Sequence, residues 1–274
     1  MKIGSLTLCF LLIYICGSAF DTIGFKCRLL DTLSVDSSFT DFLLPNEPFG
    51  ISGADGCISI DLENGHSLFL WGDSFLGLIK NNQRVIPSKF VLGNTATLYS
   101  KDSVKSLYGG TFDNPTSFVE VSSNEKNKFW YWPGDAIVVD NKILMTMTKY
   151  RKNTNENGPF AFIYEGCDFL VLDKKSFKIL SRNRLISFDN PIHYGHALIR
   201  DKKHLYIYGS KVDNQKFTST LHLMRVVLQG TAISDTEYWD GNSWVNESNK
   251  SAPITGINSK ISEQFSIRKI NEKI

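Results

Sequence analysis

The sequence has no basic block and few long apolar runs, and each shortage excludes a class of partner. Its 30 Lys and Arg against 28 Asp and Glu give a formal net charge of +2. Nucleic acid and anionic membrane surfaces are therefore not indicated as partners. Beyond the N-terminus, no apolar stretch reaches the roughly 20 residues that a membrane-spanning helix requires, so no membrane segment is predicted after the N-terminal region.

Several chemical signatures are also missing. The sequence contains no Ser-His-Asp ordering, no phosphate-binding loop and no zinc-ligand spacing, so it predicts no metal and no cofactor. Cysteine is scarce, with 5 in the chain. Signal removal would leave Cys27, Cys57 and Cys167, an odd number that allows at most one internal disulfide. Cys57 lies in a predicted strand and is interpreted as a small buried hydrophobe.

The N-terminus has the form of a secretory signal. A positive start is followed by the largely apolar segment Ile3–Cys16 and then by Gly17-Ser18-Ala19, which places cleavage after Ala19. A membrane anchor is the alternative, but the apolar run is short for one. A lipoprotein site at Cys16 is disfavoured by the bulky Ile15 before it. We expect residues 1–19 to be a signal peptide, residues 20–274 to form the mature domain, and the protein to be secreted.

Helical periodicity is missing as well. No stretch of a dozen residues shows a convincing helical stripe, whereas short apolar runs bounded by turn residues recur along the chain. The aromatic content is 19 Phe, 10 Tyr and 5 Trp, which suits a β-rich fold and also a surface that stacks on sugar rings. The sequence predicts an all-β protein.

The segment Gly53–Gly77 is predicted to be a β-hairpin. Cys57–Leu62 and Ser67–Trp71 are rich in β-branched and aromatic residues, and the turn residues between them centre on Asn64. Since 64 is the midpoint of 55 and 73, Asp55 and Asp73 should face each other at the open end of the hairpin.

Opposed carboxylates repel, so a fold that keeps Asp55 opposite Asp73 must offset the repulsion between them. Directly opposed residues lie about 4.5–5.5 Å apart at Cβ. A cation, side chains splayed into solvent, or a site that keeps one carboxyl protonated would each account for Asp55 and Asp73. The alternative is that both residues cap turns at strand ends, where Asp next to Gly is common.

An internal repeat extends the pattern. Gly134–Lys142 parallels Gly195–Lys203, an offset of 61 (195 − 134), and Cys57–Asp61 aligns with Ala136–Asp140. Hairpins that recur at this spacing are typical of propeller blades, with a β-sandwich as the alternative. In a propeller, the residues before each inner strand converge on the axis.

The repeat therefore predicts one shared funnel for Asp55, Asp135 and His196. Asp135 alone could equally be a turn residue. His193 and His196 should point to opposite faces of a strand, which argues against a metal pair. Trp130 is assigned to the core and Trp132 to the funnel rim.

A family resemblance rests on five motifs. GADGCISI, LFLWGDSFLG, YWPGDAIVV, YGHALI and YWDGNSWV, between about Gly50 and Phe265, resemble motifs of a family of secreted five-bladed β-propellers of formerly unknown function, related to glycoside hydrolases that include bacterial endo-D-arabinanases. The resemblance implies that Asp55 and Asp73 are catalytic. It places Asp135, His196, Asn94 and Trp132 in the sugar-binding funnel.

The sequence departs from that family at its end. The chain stops at Ile274, where Gln264–Ile270 is predicted to begin a fifth-blade strand, and we therefore expect an incomplete last blade. Truncation, substitution by an N-terminal strand, or loss of enzymatic activity would each explain the departure. Glu165 is either a further carboxylate of the site or part of a bulged edge strand.

The combined prediction is a monomeric glycoside hydrolase-like protein with a polysaccharide substrate and no cofactor. It would cleave glycosidic bonds through Asp55 and Asp73. The alternative is a non-catalytic propeller that binds carbohydrate or protein and has lost activity.

Overall fold

The computed structural model describes residues 50–81, 83–187, 189–213, 218–256 and 261–269. The predicted signal peptide, residues 20–49 of the predicted mature domain, and Cys27 lie outside these residues. Strands dominate the described residues, which also contain one short 3-10 helix (Ser248–Lys250). The strands are β1 (Ile51–Ala54), β2 (Ile58–Glu63), β3 (His66–Trp71), β4 (Ser74–Leu76), β5 (Ile79–Lys80), β6 (Gln83–Arg84), β7 (Lys89–Val91), β8 (Thr95–Ser100), β9 (Ser103–Leu107), β10 (Gly109–Gly110), β11 (Pro115–Thr116), β12 (Phe129–Val139), β13 (Lys142–Lys152), β14 (Phe162–Asp173), β15 (Ile179–Ser187), β16 (His193–Asp201), β17 (His204–Asp213), β18 (Thr218–Gln229), β19 (Ala232–Trp239) and β20 (Trp244–Val245).

Three antiparallel sheets make up most of the fold. The first sheet has the order β2-β3-β8-β9, the second β12-β13-β14-β15 and the third β16-β17-β18-β19-β20. The smaller sheets are β1-β4-β7, β5-β6 and β10-β11. Strands β4 to β7 lie between β3 and β8 in the chain, whereas β1 precedes β2. The all-β prediction is confirmed. A closed five-bladed ring is not found among the described residues.

The predicted hairpin forms with the predicted register. Ile58 pairs with Leu70 and Ile60 with Leu68, so the ladder is centred on Asn64. Asn64 has φ 53 and Gly65 has φ 74, which is the left-handed pair that a two-residue hairpin turn requires. The two-residue turn pairs Glu63 with His66, and a register shift between Asp61 and Glu63 then sets which residues meet at the far end of the hairpin.

The internal repeat appears as a repeated bulge. On β12 the pairing jumps from Pro133 to Ala136, and on β16 it jumps from Tyr194 to Ala197. Each bulge is the Gly-X pair of the repeat. A bulge shifts the alternation of side chains, so the strict period of two behind the predicted opposite orientation of His193 and His196 does not hold along β16. The His193 ring lies 3.2 Å from Glu263, and the His196 ring lies 5.5 Å from that of Phe265.

The second sheet is buried on both faces. Ile143 and Met145 of β13 pack with Leu68 and Leu70 in the core between the first and second sheets. Leu144, one position along, packs with Phe169, Ile207 and Met224 in the core between the second and third sheets. Burial on both faces explains why β13 is apolar at consecutive positions.

The third sheet is covered by the segment that follows it. Ile254, Ile261, Phe265 and Ile267 pack against a buried cluster on its far face. The strand predicted over Gln264–Ile270 is wrong over its described part, since residues 261–269 form no strand. The Ile254 and Ile261 N–H groups donate to the Leu221 and Ser219 carbonyls of β18, and apolar side chains hold the segment against the sheet.

The extended stretch Ser88–Ser100 does not form a single strand. It is interrupted at Gly93-Asn94, and β7 and β8 belong to different sheets. Gly93 has φ 106, a left-handed conformation that ends one strand and redirects the chain into the next. The described part of the chain contains no helix with the length and apolar character needed to cross a membrane.

Candidate functional site

A cavity of about 580 Å³ with a mixed polar and apolar lining opens where the first strands of the three sheets come together. β12 lies beside both β2 and β16. The cavity is lined by Asp55, Gly56, Cys57, Ile58, Ser59, Leu70, Gly72, Trp132, Pro133, Gly134, Asp135, His196, Gln264, Phe265, Ser266 and Arg268. The structure therefore brings together four of the six predicted site residues: Asp55, Trp132, Asp135 and His196.

Asp55 is an exposed carboxylate at the cavity wall. Its backbone N–H donates to the Asp73 carbonyl at 3.1 Å, and the Gly72 N–H donates to the Asp55 carbonyl at 2.8 Å, so the hairpin pairing continues to this level. The Asp55 carboxylate lies against the Gly72 α-carbon, where any Cβ would collide with it. Only glycine therefore leaves room for this carboxylate position.

The environment of Asp55 favours its protonated form. Desolvation by burial raises its pKa, and the charge of Asp73 raises it further. A hydrogen bond from the Asp73 backbone N–H acts in the opposite direction. The net effect is a raised pKa, which makes Asp55 a better proton donor near neutral pH than an isolated aspartate.

Asp73 is held differently. Its Oδ1 accepts hydrogen bonds from the Gly93 N–H at 2.7 Å and from the Trp132 indole N–H at 2.8 Å. Asp73 is half-buried and is not part of the cavity lining. The two aspartates are thus electrostatically coupled but have different surroundings.

Trp132 connects Asp73 to the cavity wall. Its ring packs on Tyr150 at a centroid distance of 4.4 Å and edge-on to Phe162 at 4.7 Å, while its N–H serves Asp73. Trp130 lies behind this group, and its buried indole N–H has no hydrogen-bond partner among the described residues. The rim position predicted for Trp132 agrees with its place in the lining.

Asp135 is almost fully buried, at 1% exposure. Its Oδ1 accepts the Ala136 N–H at 2.8 Å and its Oδ2 accepts the Leu198 N–H at 2.8 Å. The Arg268 guanidinium adds one N–H to each oxygen, at 3.0 and 2.8 Å. Asp135 therefore ties the second sheet to the third and anchors Arg268, and its oxygens already have four donors.

His196 lines the cavity from the bulge of β16. Desolvation lowers its pKa to about 4, helped by the charge of His193 and opposed by Glu263. Its ring lies 5.5 Å from that of Phe265. Its buried Nε2 has no hydrogen-bond partner among the described residues, so a neutral ring nitrogen remains available at the wall.

Asn94 lies away from the cavity. Its amide donates to the Val119 and Tyr131 carbonyls, each at 3.0 Å, and accepts the Val119 N–H at 2.7 Å. At 1% exposure it bridges the first sheet to the second. This position gives no support to the sugar-binding role predicted for Asn94.

Sequence reasoning missed the contribution of the C-terminal segment. Gln264, Phe265, Ser266 and Arg268 all line the cavity, although no local motif marks them. Their apolar alternation was the only available signal, and it predicted a strand. They reach the site because the segment packs across the third sheet.

For Cys57 and Glu165, the structure departs from one of the interpretations drawn from the sequence. Cys57 is exposed rather than a buried hydrophobe, because Gly56 has φ 62 and turns the chain just before β2. Both Cys57 and Cys167 are free thiols. Glu165 lies at a break in the β13–β14 pairing and forms an ion pair with Arg151, which matches the bulged-strand alternative.

In the described chain no group of three His, Cys, Asp or Glu residues could hold a metal ion.

Consecutive antiparallel sheets around this cavity define an all-β protein whose candidate site is built from the first strand of each sheet. The chain belongs to the family described as Domain of unknown function (DUF5005), whose model matches residues 36–274. No curated protein matches it.

The fold is also similar to that of a solved structure. This is the crystal structure of a candidate hydrolase from Bacteroides ovatus ATCC 8483, with a TM-score of 0.59 and 17% sequence identity. The match covers 78% of this chain and 59% of that one. The chain therefore spans well under two thirds of that protein, and the likeness concerns the fold.

Proposed function

We propose that this protein is a secreted glycoside hydrolase that acts on a polysaccharide, with Asp55 as general acid and Asp73 as base or nucleophile. The observation that carries the proposal is the raised pKa of Asp55 beside Asp73 at the mouth of the cavity. The fold-level similarity to a candidate hydrolase is consistent with this assignment.

The chemistry requires two carboxyl groups in different states. The acid must carry a proton to give to the leaving oxygen, and the second group must be an ionised carboxylate. Burial and the neighbouring charge favour a protonated Asp55. The two N–H donors on Asp73 orient its carboxylate as an acceptor, which suits a base or nucleophile. The mechanism needs no cofactor.

The finer fold assignment belongs to the same proposal. The three sheets repeat with their first strands side by side, as blades do around a propeller axis. We propose a five-bladed β-propeller ancestry, a monomeric state and an extracytoplasmic location after removal of residues 1–19. Neither nucleic acid nor membrane is a proposed partner.

The test is cleavage of a glycan panel by the purified protein and by two variants. Plant, fungal and mycobacterial polysaccharides are incubated with the parent, Asp55→Asn and Asp73→Asn, and released reducing ends are counted. Each variant should lose about 100-fold or more in rate, the range for general acid–base catalysis. Asp102→Asn, in an exposed turn, is the control and should keep the parental rate. Folded variants that cleave at the parental rate would overturn the proposal.

A non-catalytic carbohydrate-binding protein is the second candidate. It is favoured by the place of Asp73 outside the cavity lining and by the full set of donors on Asp135. In that case the parent releases no reducing ends from any glycan, while glycan binding persists in the parent and in Asp55→Asn.

A further inference from the structure

Arg268 brings a cation to the cavity wall. Its side chain is 43% exposed, although it is fixed at one end by the nearly inaccessible carboxylate of Asp135. A guanidinium has five N–H donors in a rigid fork. Two point at Asp135 and one at the Ile267 carbonyl, which leaves two N–H donors without a partner in the described part of the chain.

The Asp135 carboxylate does not depend on Arg268 alone for its stabilisation. Each Asp135 oxygen also accepts a backbone N–H, from Ala136 or Leu198, so the bulge itself stabilises much of the carboxylate charge. Arg268 is therefore held in place by a partner that already has other donors. Such a preorganised guanidinium suits recognition of a second, planar anion.

The other titratable groups of the cavity do not supply a competing cation. His196 has a pKa of about 4 and is neutral at pH 7. His193 and Glu263 face each other at 3.2 Å beside it. Asp55 stands in the same lining with a raised pKa. Among the described lining residues, Arg268 is the positive group at neutral pH.

We propose that Arg268 binds an acidic substituent of the sugar, so that the preferred ligand is an anionic polysaccharide bearing carboxylate, sulfate or phosphate groups. This inference rests on the proposed function in so far as the cavity accepts a sugar. The neighbouring Phe265 and Trp132 supply apolar wall for the ring, and Arg268 supplies the charge-assisted hydrogen bonds that discriminate acidic from neutral sugars.

The experiment measures binding and not hydrolysis. Methyl glucuronide, glucose 6-sulfate and glucose 6-phosphate are compared with methyl glucoside by ligand-observed NMR on the parent protein, and the same spectra verify that the ligands stay intact. At least one acidic sugar should bind about tenfold tighter than its neutral counterpart. The ratio of acidic to neutral sugar affinity should fall as the salt concentration rises from about 20 to about 500 mM. This range shortens the electrostatic screening length from roughly 20 to roughly 4 Å. The three acidic ligands identify which anion is preferred.

Arg268→Gln should bring the acidic-to-neutral ratio close to one while neutral sugars bind within about twofold of the parent. Arg225→Gln, which removes an arginine paired with Glu237 and stacked on Trp244, is the matched control and should keep the ratio. Equal binding of acidic and neutral sugars by the parent, or a ratio unaffected by salt, overturns the proposal. Equal loss of both sugar types in a folded Arg268→Gln also overturns it, since Arg268 would then only hold the segment in place.

If Arg268→Gln does not fold, Arg268→Lys and the salt series on the parent decide the question. The lysine variant should keep part of the acidic preference because the charge remains. Failure of hydrolysis in the glycan panel leaves these binding ratios intact, so failure of the two proposals can be told apart.

Discussion

At the scale of single residues, the two aspartates of the hairpin show how position changes chemistry. Asp55 and Asp73 are paired through their backbones, yet one carboxylate borders the cavity and the other is fixed by two N–H donors. The difference arises from what surrounds each strand end. It gives the pair the asymmetry that acid–base catalysis uses.

Removal of the Asp73 charge should lower the pKa of Asp55. Asp73→Asn takes away the Coulombic contribution that raises it, while desolvation remains. We expect a downward shift in the pKa of Asp55, measured by carbon NMR titration of its carboxyl group. Asp102→Asn should leave the value unchanged, and an unchanged or raised pKa in Asp73→Asn contradicts the coupling.

At the scale of elements, the bulge on β12 is the joint between the second and third sheets. The Gly134 α-carbon faces the Gly195 carbonyl, and the Thr146 hydroxyl donates to that same carbonyl at 2.8 Å. A Cβ at Gly134 would also lie 2.7 Å from the Thr146 Oγ1. The sheets can approach this closely only because the position carries no side chain.

Gly134→Ala should therefore destabilise the protein. The added methyl group meets backbone that cannot move without separating the two sheets, and overpacking of this kind costs about 1–3 kcal/mol. Urea unfolding followed by tryptophan fluorescence measures the loss. Gly230→Ala is the control, because its methyl group meets nothing within 4 Å and only its φ of 61 is unfavourable. A smaller loss for Gly134→Ala than for the control contradicts the packing argument.

The hairpin register was predictable because it depends on a short-range turn. Asn64-Gly65 sets the pairing locally, and arithmetic along two strands then places Asp55 near Asp73. The orientation of His193 and His196 was not predictable from a period of two, since one bulge shifts the alternation. Asn94 was assigned by resemblance, and its burial depends on contacts with the second sheet.

At the scale of the whole molecule, the burial of two histidines couples stability to pH. The pKa values of His196 and His222 are both lowered to about 4, chiefly by desolvation. The unfolded chain, with ordinary values near 6.5, binds more protons between pH 6.5 and pH 4. Stability should therefore be highest above pH 6.5 and decline as the pH falls toward 4.

We expect the free energy of unfolding, measured in urea, to fall by up to about 2 kcal/mol for each histidine between pH 7 and pH 5. His222→Asn removes one of the titrating groups and should flatten this dependence. His66→Asn, at an exposed strand end, should retain the parental slope. A free energy of unfolding that is independent of pH, or that increases toward pH 5, contradicts the assignment of buried neutral histidines.

The sequence by itself determined the all-β class, the three hairpins and the repeated Gly-X pair ahead of an apolar strand, because alternation and turn chemistry act over a few residues. The tertiary structure alone decided that Arg268 meets Asp135, 133 positions away in the chain, and that His196 is buried and neutral. Such contacts depend on how a segment that forms no strand packs across a sheet face. Only the packed molecule removes water from these groups, and desolvation is what changes their chemistry.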